Sequence, residues 1–284
     1  MKIGVSSYSF RKYILQTKCD YFKICDLAKE MGFDGIEFTP LEEAAYGITD
    51  DPMKTAKELK EYCEKIGLEI TAYTVGANLV TDEPEKEIAT LKARIDVAEA
   101  LGAKILRHDV CGKLRPEYLY TYKDAINEMV PRIREVTEYA AAKGIRTCTE
   151  NHGYIFQKPE RVEELILAVG HKNYGWLCDM GNFLCADADP VKAITIAAPY
   201  AFHAHAKDFL YKDGSVDRPA GFFGTAGGNH IRGTVIGHGV VPIKNCVNIL
   251  KNAGYSGYLS IEFEGMEECL PAIKAGLDYL KSIV

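Results

Sequence analysis

The spacing of apolar and polar positions along this chain switches repeatedly between two periods. Short runs alternate or are apolar throughout, as in KIGVSSYS (2–9), FDGIEFT (33–39), LEITAYTVG (68–76) and AKILRHDV (103–110). The same texture returns in IRTCTENH (145–152), YGWLCDMGN (174–182), AFHAHAKDF (201–209) and YLSIEFEG (258–265). These eight runs predict strands. Between them apolar residues recur three and four apart, for example in DYFKICDLAKEMG (20–32) and PMKTAKELKEYCEKIG (52–67), which predicts helices. Gly32, Gly67, Gly102, Gly144 and Gly254 stand shortly before strands and read as helix C-caps, where a left-handed backbone is needed.

Strand-then-helix alternation implies parallel pairing, and eight repeats predict an α/β fold of the closed (β/α)8 TIM-barrel type, as a single domain over 1–284. An open doubly wound sheet is the rival. It usually carries a glycine-rich phosphate turn after its first strand, and SSYSFRKYI stands there instead. One connection is unusual. Residues 210–241 read as a long glycine-rich βα loop over the catalytic face, expected to close over substrate with Arg232 or His238 reaching a substrate oxygen. A subunit interface is its competing role.

The 284 residues are 47% hydrophobic, enough for one large core. A net charge of −6 opposes a nucleic-acid partner, which calls for a basic surface. The nine cysteines include no Cys-x-x-Cys pair and are odd in number, which suggests reduced thiols and a cytoplasmic setting. MKIGVSSYSF lacks the apolar stretch of a secretory signal, and no run is long enough for a membrane span, so no membrane partner is expected.

Polar residues gather at the predicted C-terminal strand ends, where barrels of this type build their sites. They are Glu37; Arg107, His108 and Asp109; Glu150 and His152; Asp179 and Asn182; His205 and Lys207; Glu262 and Glu264. Singly, each has an ordinary explanation as a solvated carboxylate or a core histidine. Together, Glu150, Asp179, His205 and Glu262 come from four consecutive strands at the same end. Three converging carboxylates repel one another unless a cation sits among them. Oxygen ligands with one imidazole suit one divalent ion, Mn2+ first, with Mg2+ or Co2+ as alternatives. His203, deeper on the same strand face, reads as a supporting histidine. Lys207 has two open roles, touching substrate or pairing with a carboxylate.

The segments GFDGIEF, TENHG, CDMGN, HAHAKDF, GHGVVP and GYSGYLSIEFEG, spread in order over nearly the whole chain, resemble the xylose isomerase-like barrel superfamily, known as sugar phosphate isomerases/epimerases. The resemblance implies that Glu150, Asp179, His205 and Glu262 bind one divalent metal. It also implies that Glu150 and Glu262 move the proton in an isomerase or epimerase acting on a keto sugar or polyol through a metal-stabilised enediolate. Glu37, Arg107, Asn182, Lys207, Arg232 and His238 are then candidate substrate contacts. The pattern departs from the ketose epimerases at Asn182 and Tyr211, where those enzymes carry histidine and arginine.

The ENHG turn is similar to a branch containing C-glycoside deglycosidase catalytic subunits, which makes a lyase the alternative, with His152 as base. That lyase would cleave a 3-oxo-C-glycoside or dehydrate a keto-inositol. The competing role of His152 is to cap a turn. A DNA-repair endonuclease on the same barrel would need a histidine-rich zinc cluster and a basic groove, which the sequence pI of about 5.7 opposes. The expected partner is a small sugar, and a homo-oligomer or a small accessory subunit is also considered.

Overall fold

The computed structural model describes residues 1–41 and 51–284. Its strands in chain order begin with β1 (Lys2–Ser6), β2 (Gly35–Phe38), β3 (Glu69–Val75) and β4 (Ile105–His108). β5 (Arg146–Glu150), β6 (Tyr174–Asp179) and β7 (Ala201–Ala206) follow. β8 (Asp208–Lys212), β9 (Phe223–Gly224), β10 (His230–Thr234) and β11 (Tyr258–Ile261) complete the series. The eight runs picked out by periodicity, β1–β7 and β11, form a closed parallel barrel in the ring order β1-β11-β7-β6-β5-β4-β3-β2. Helices surround it, and the fold is a (β/α)8 TIM barrel. None of the described helices is long and apolar enough to cross a membrane.

Local chemistry sets the helix ends. Asp20, Asp51 and Asp189 accept hydrogen bonds from the backbone N–H groups of Lys23, Lys54 and Lys192, capping the helices Tyr21–Met31, Pro52–Ile66 and Pro190–Ala197. The five glycines predicted as helix stops all have positive φ, from 68° at Gly67 to 92° at Gly32. They fit where a side chain would be strained.

The barrel interior is layered. Its base is plugged by Ala72, Ile105, Cys148 and Leu177, with Phe202 against them. Above that plug lies a polar layer containing Glu37, His203 and Ser260, all buried. The C-terminal mouth opens above it.

The 210–241 segment differs from its expectation. It is folded in part rather than an open loop throughout, because β8, β10 and β9 pair into an antiparallel three-stranded sheet. The predicted seventh strand breaks at Lys207, and the chain leaves the barrel as β8. Buried Asp208 fixes this departure. Its carboxylate accepts from the backbone N–H groups of Gly237 and Gly239 (both 2.9 Å) and Val241 (3.0 Å). At the other end Asp187 accepts from Thr225 Oγ1 and Asn229 Nδ2, both at 2.7 Å. Phe209 and Ile231 pack on Cys185 beneath the sheet. The segment is thus anchored at both ends and packed underneath at Phe209 and Ile231, a folded wall beside the mouth where an open loop was expected.

Candidate active site

Four side chains converge at the mouth. Glu150 ends β5, Asp179 ends β6, His205 lies near the end of β7 and Glu262 follows β11 directly. Each offers one ligand atom, and these atoms all lie within 4.8 Å of one another. His205 Nδ1 stands 3.6 Å from Asp179 Oδ2, 3.6 Å from Glu262 Oε2 and 3.8 Å from Glu150 Oε1.

The backbone holds this arrangement. Asp179 Oδ1 accepts from the N–H groups of Gly181 (2.8 Å) and Asn182 (2.7 Å), which turns Oδ2 toward the cluster. Asn151 ties β5 to β6, donating from Nδ2 to the Asp179 carbonyl and accepting from the Asp179 N–H and Trp176 Nε1. Gly181 is required for close approach, since a Cβ there would meet the Lys207 carbonyl at 2.7 Å.

Two buried atoms of the cluster, Asp179 Oδ2 and His205 Nδ1, have no hydrogen-bond partner. Buried polar atoms normally find partners, so this pair marks a position shaped for something else. Three carboxylates and one imidazole fit a divalent cation. Burial raises the Glu150 carboxyl against the opposing pull of Arg107. Burial pushes Glu262 the same way, but Lys207 and His205 outweigh it and hold the carboxyl well below its usual range. For His205, burial lowers the imidazole and is overcome by the facing carboxylates, Glu37 first, so its affinity for protons is raised.

The cavity above the cluster holds about 170 Å3, below the ~300–1,000 Å3 typical of drug-sized ligands and suited to a compact polyol. Arg107, His152, Lys207 and Glu264 line it together with Glu150, His205 and Glu262. Arg107 Nη2 reaches Glu150 Oε2 and Asp109 Oδ1, both at 2.7 Å. Lys207 Nζ lies 2.6 Å from Glu262 Oε2 and 3.5 Å from Glu264 Oε2. Both cations are therefore already paired with carboxylates.

His152 Nδ1 is 2.9 Å from Asp109 Oδ1, and the ring is half exposed at the cavity. Burial works against its protonated form, yet the bond to Asp109 prevails and the net shift is upward. Burial likewise opposes ionisation of Asp109, but Arg107 outweighs it and lowers that carboxyl to about 2.

Four expected substrate contacts are placed otherwise. Glu37 lies below the cavity, fully buried, against His203 and His205. Asn182 is buried between Glu150 and Lys207, donating to Glu150 Oε1 (2.8 Å) and accepting from Lys207 Nζ (3.1 Å). Arg232 faces Glu267 at 3.5 Å and stacks over Phe222, outside the cavity lining. His238 is exposed in the turn that Asp208 organises, outside the cavity lining. Sequence reasoning noted Asp109 and Glu264 without giving them roles, although both sit two residues from a site residue on an alternating run. It missed Asn151, whose bonds begin where the strand pattern ends.

A family model for the xylose isomerase-like TIM barrel matches residues 25–283. A probable ketose 3-epimerase of Synechocystis sp. is 28% identical over 220 residues, 72% of each chain. An inosose dehydratase of Lacticaseibacillus casei is 22% identical over 254 residues, 84% of each chain. Among solved structures, the IOLI protein with a binding zinc atom superposes with a TM-score of 0.77 at 19% identity, over 100% of this chain and 98% of that one. Barrel, mouth and family model agree, and the chain belongs to the xylose isomerase-like TIM barrel family.

Proposed function

We propose that this protein is a divalent-metal-dependent enzyme that enolises a keto sugar or polyol and returns the proton to give an isomer or epimer. The observation that carries this reading is the convergence of Glu150, Asp179, His205 and Glu262 around two buried, unpartnered ligand atoms at the mouth of a small polar cavity. Those four residues would hold the ion, with Mn2+ the first candidate and Mg2+ or Co2+ as alternatives. A bound divalent ion supplies Lewis acidity that polarises a carbonyl and makes the neighbouring C–H acidic.

The chain's own residues do the rest. Glu150 and Glu262 reach the cavity from β5 and β11, strands separated in the ring by β6 and β7. They therefore approach a bound sugar from different sides. One carboxylate removes a proton and the other delivers one. Arg107 and Asn182 orient Glu150, and Lys207 orients Glu262. A relative named as a probable ketose 3-epimerase supports this reading.

A lyase is the second reading, favoured by His152. Held by Asp109 at 2.9 Å, it gives the cavity a third acid/base group beyond the two glutamates. Elimination uses such a group to take a proton or protonate a departing oxygen or carbon. The relatives named as inosose dehydratases agree with it.

Incubating ketohexoses, keto-inositols and 3-oxo-C-glycosides with protein and Mn2+ or Mg2+ in D2O tests both readings. After removal of the metal, proton NMR should show deuterium at a carbon next to the carbonyl. A new stereoisomer or aldose–ketose pair supports the first reading, and an unsaturated or cleaved product the second. Full retention of carbon-bound protons across the panel would sink both.

A further inference from the structure

Beneath the metal cluster, three buried side chains, Glu37, His203 and Ser260, extend from His205 a chain of contacts that the proposed chemistry does not use. Glu37 Oε1 stands 2.9 Å from His205 Nε2, and Glu37 Oε2 stands 2.7 Å from His203 Nε2. His203 Nε2 also lies 3.1 Å from Ser260 Oγ. Glu37 is fully buried, and among the described residues its ion-pair partners are His203 and His205. A carboxylate is an acceptor only, and Glu37 Oε2 accepts from both rings, at 2.7 Å from His203 Nε2 and 3.1 Å from His205 Nε2, while Oε1 has no hydrogen-bond partner. An imidazole that gives its Nε2 proton downward keeps a lone pair on Nδ1. In His205 that atom faces Glu150, Asp179 and Glu262 and has no hydrogen-bond partner.

We infer that Glu37 is a positioning residue, seated by His203 and Ser260, which holds His205 as its Nε2–H tautomer so that Nδ1 is the ligating atom. This rests on the metal reading above. It also accounts for the two histidines on one face of FHAHAK: one meets the ion, and the other steadies the carboxylate that orients the first. Glu37, His203 and His205 are close enough together to suggest a second ion site. The contacts of His203 Nε2 and His205 Nε2 with Glu37 Oε2 have hydrogen-bond lengths, 2.7 and 3.1 Å, so protons occupy the space between them.

Zinc serves as the diamagnetic probe, and long-range 1H–15N spectra of the histidine rings report the tautomer directly. Zinc-loaded wild-type protein should show His205 protonated at Nε2. Zinc affinity, measured by competition with a chromogenic chelator, should fall about 10–100-fold in Glu37→Ala. Glu37→Asp should recover part of this loss. His203→Leu should weaken binding by less, and the Glu37→Ala/His203→Leu double variant should lose little more than Glu37→Ala alone, as expected of residues acting in series.

Three outcomes overturn the inference: His205 protonated at Nδ1 in the loaded wild type, a natively folded Glu37→Ala binding zinc as tightly as wild type, or a second zinc equivalent lost with His203. If Glu37→Ala does not fold, the wild-type spectrum still decides. Wild-type protein that takes up no zinc, manganese or magnesium removes the metal reading itself, and this inference with it.

Discussion

Two dense charged clusters lie among the βα connections, and only one has the makings of a site. The first joins Arg115, Glu128, Asp82, Tyr120 and Arg132. Arg115 donates to both oxygens of Glu128, to Asp82 and to the Thr81 carbonyl, while Tyr120 and Arg132 also donate to Glu128. Every charge there is answered by another, and the result is a clasp between two loops and a helix. The second cluster, at the mouth, leaves Asp179 Oδ2 and His205 Nδ1 buried and unanswered. Charge density alone does not mark function. Inward-facing ligand atoms without a hydrogen-bond partner do, because the fold bears their desolvation cost with no hydrogen bond at those atoms to offset it.

The largest expected effect separates the clusters by metal content. Elemental analysis of native protein should find about one divalent ion per chain. Asp179→Ala should lose the ion and essentially all turnover. Arg115→Ala should keep both and lower Tm by on the order of a few degrees. Full occupancy in an Asp179→Ala/His205→Ala double variant would erase the contrast.

Next come the two glutamates. Glu150→Gln and Glu262→Gln keep shape and a ligating oxygen but remove basicity. Turnover should fall by about 10²–10⁴, more than metal affinity does. Near-normal turnover with metal bound in both variants would move proton transfer to His152.

How much of this contrast is legible in the sequence depends on the range of the interactions. The strands, the helix stops and the four converging residues follow from local period and from the rule that barrel sites gather at C-terminal strand ends. Glu37 shows where that logic stops. Alternation within GIEF puts it inside the barrel, but its depth depends on the stagger between β2 and β7, which local pattern does not encode. The placement of Arg232 and His238 outside the cavity lining is illegible for a related reason. Their positions depend on antiparallel pairing and on Asp208 bonding to backbone N–H groups about 30 residues away. Glycine count in 210–241 suggests freedom, whereas those bonds anchor residues 237–241.

The 208–241 sheet gives a test of intermediate size. Its amides at β8 and β10 should be protected from hydrogen exchange to the same degree with and without substrate and metal, as befits a fixed wall. Asp208→Ala should expose residues 237–241 first, because three backbone donors lose their acceptor. Protection that rises only on adding substrate would restore the lid.

The smallest effect is an acid titration of the satisfied cluster. Its hydrogen bonds to Arg115, outweighing the cost of burial, hold Glu128 at about 2, against roughly 4.3 for an unperturbed glutamate. A carboxyl with a lowered folded-state pKa binds fewer protons folded than unfolded. Its contribution to stability is therefore complete above the unfolded value and disappears as pH falls through the folded one. Thermal unfolding of wild type and Glu128→Gln should differ by a constant amount above roughly pH 5 and converge between about 4 and 2. Subtracting the two curves cancels groups common to both, including Asp109, which titrates in the same acidic range. A difference that stays constant down to the acid limit would show that Glu128 works through shape and not charge. The clasp would then be held by packing, and the contrast between the two clusters would rest on the unanswered atoms of the mouth alone.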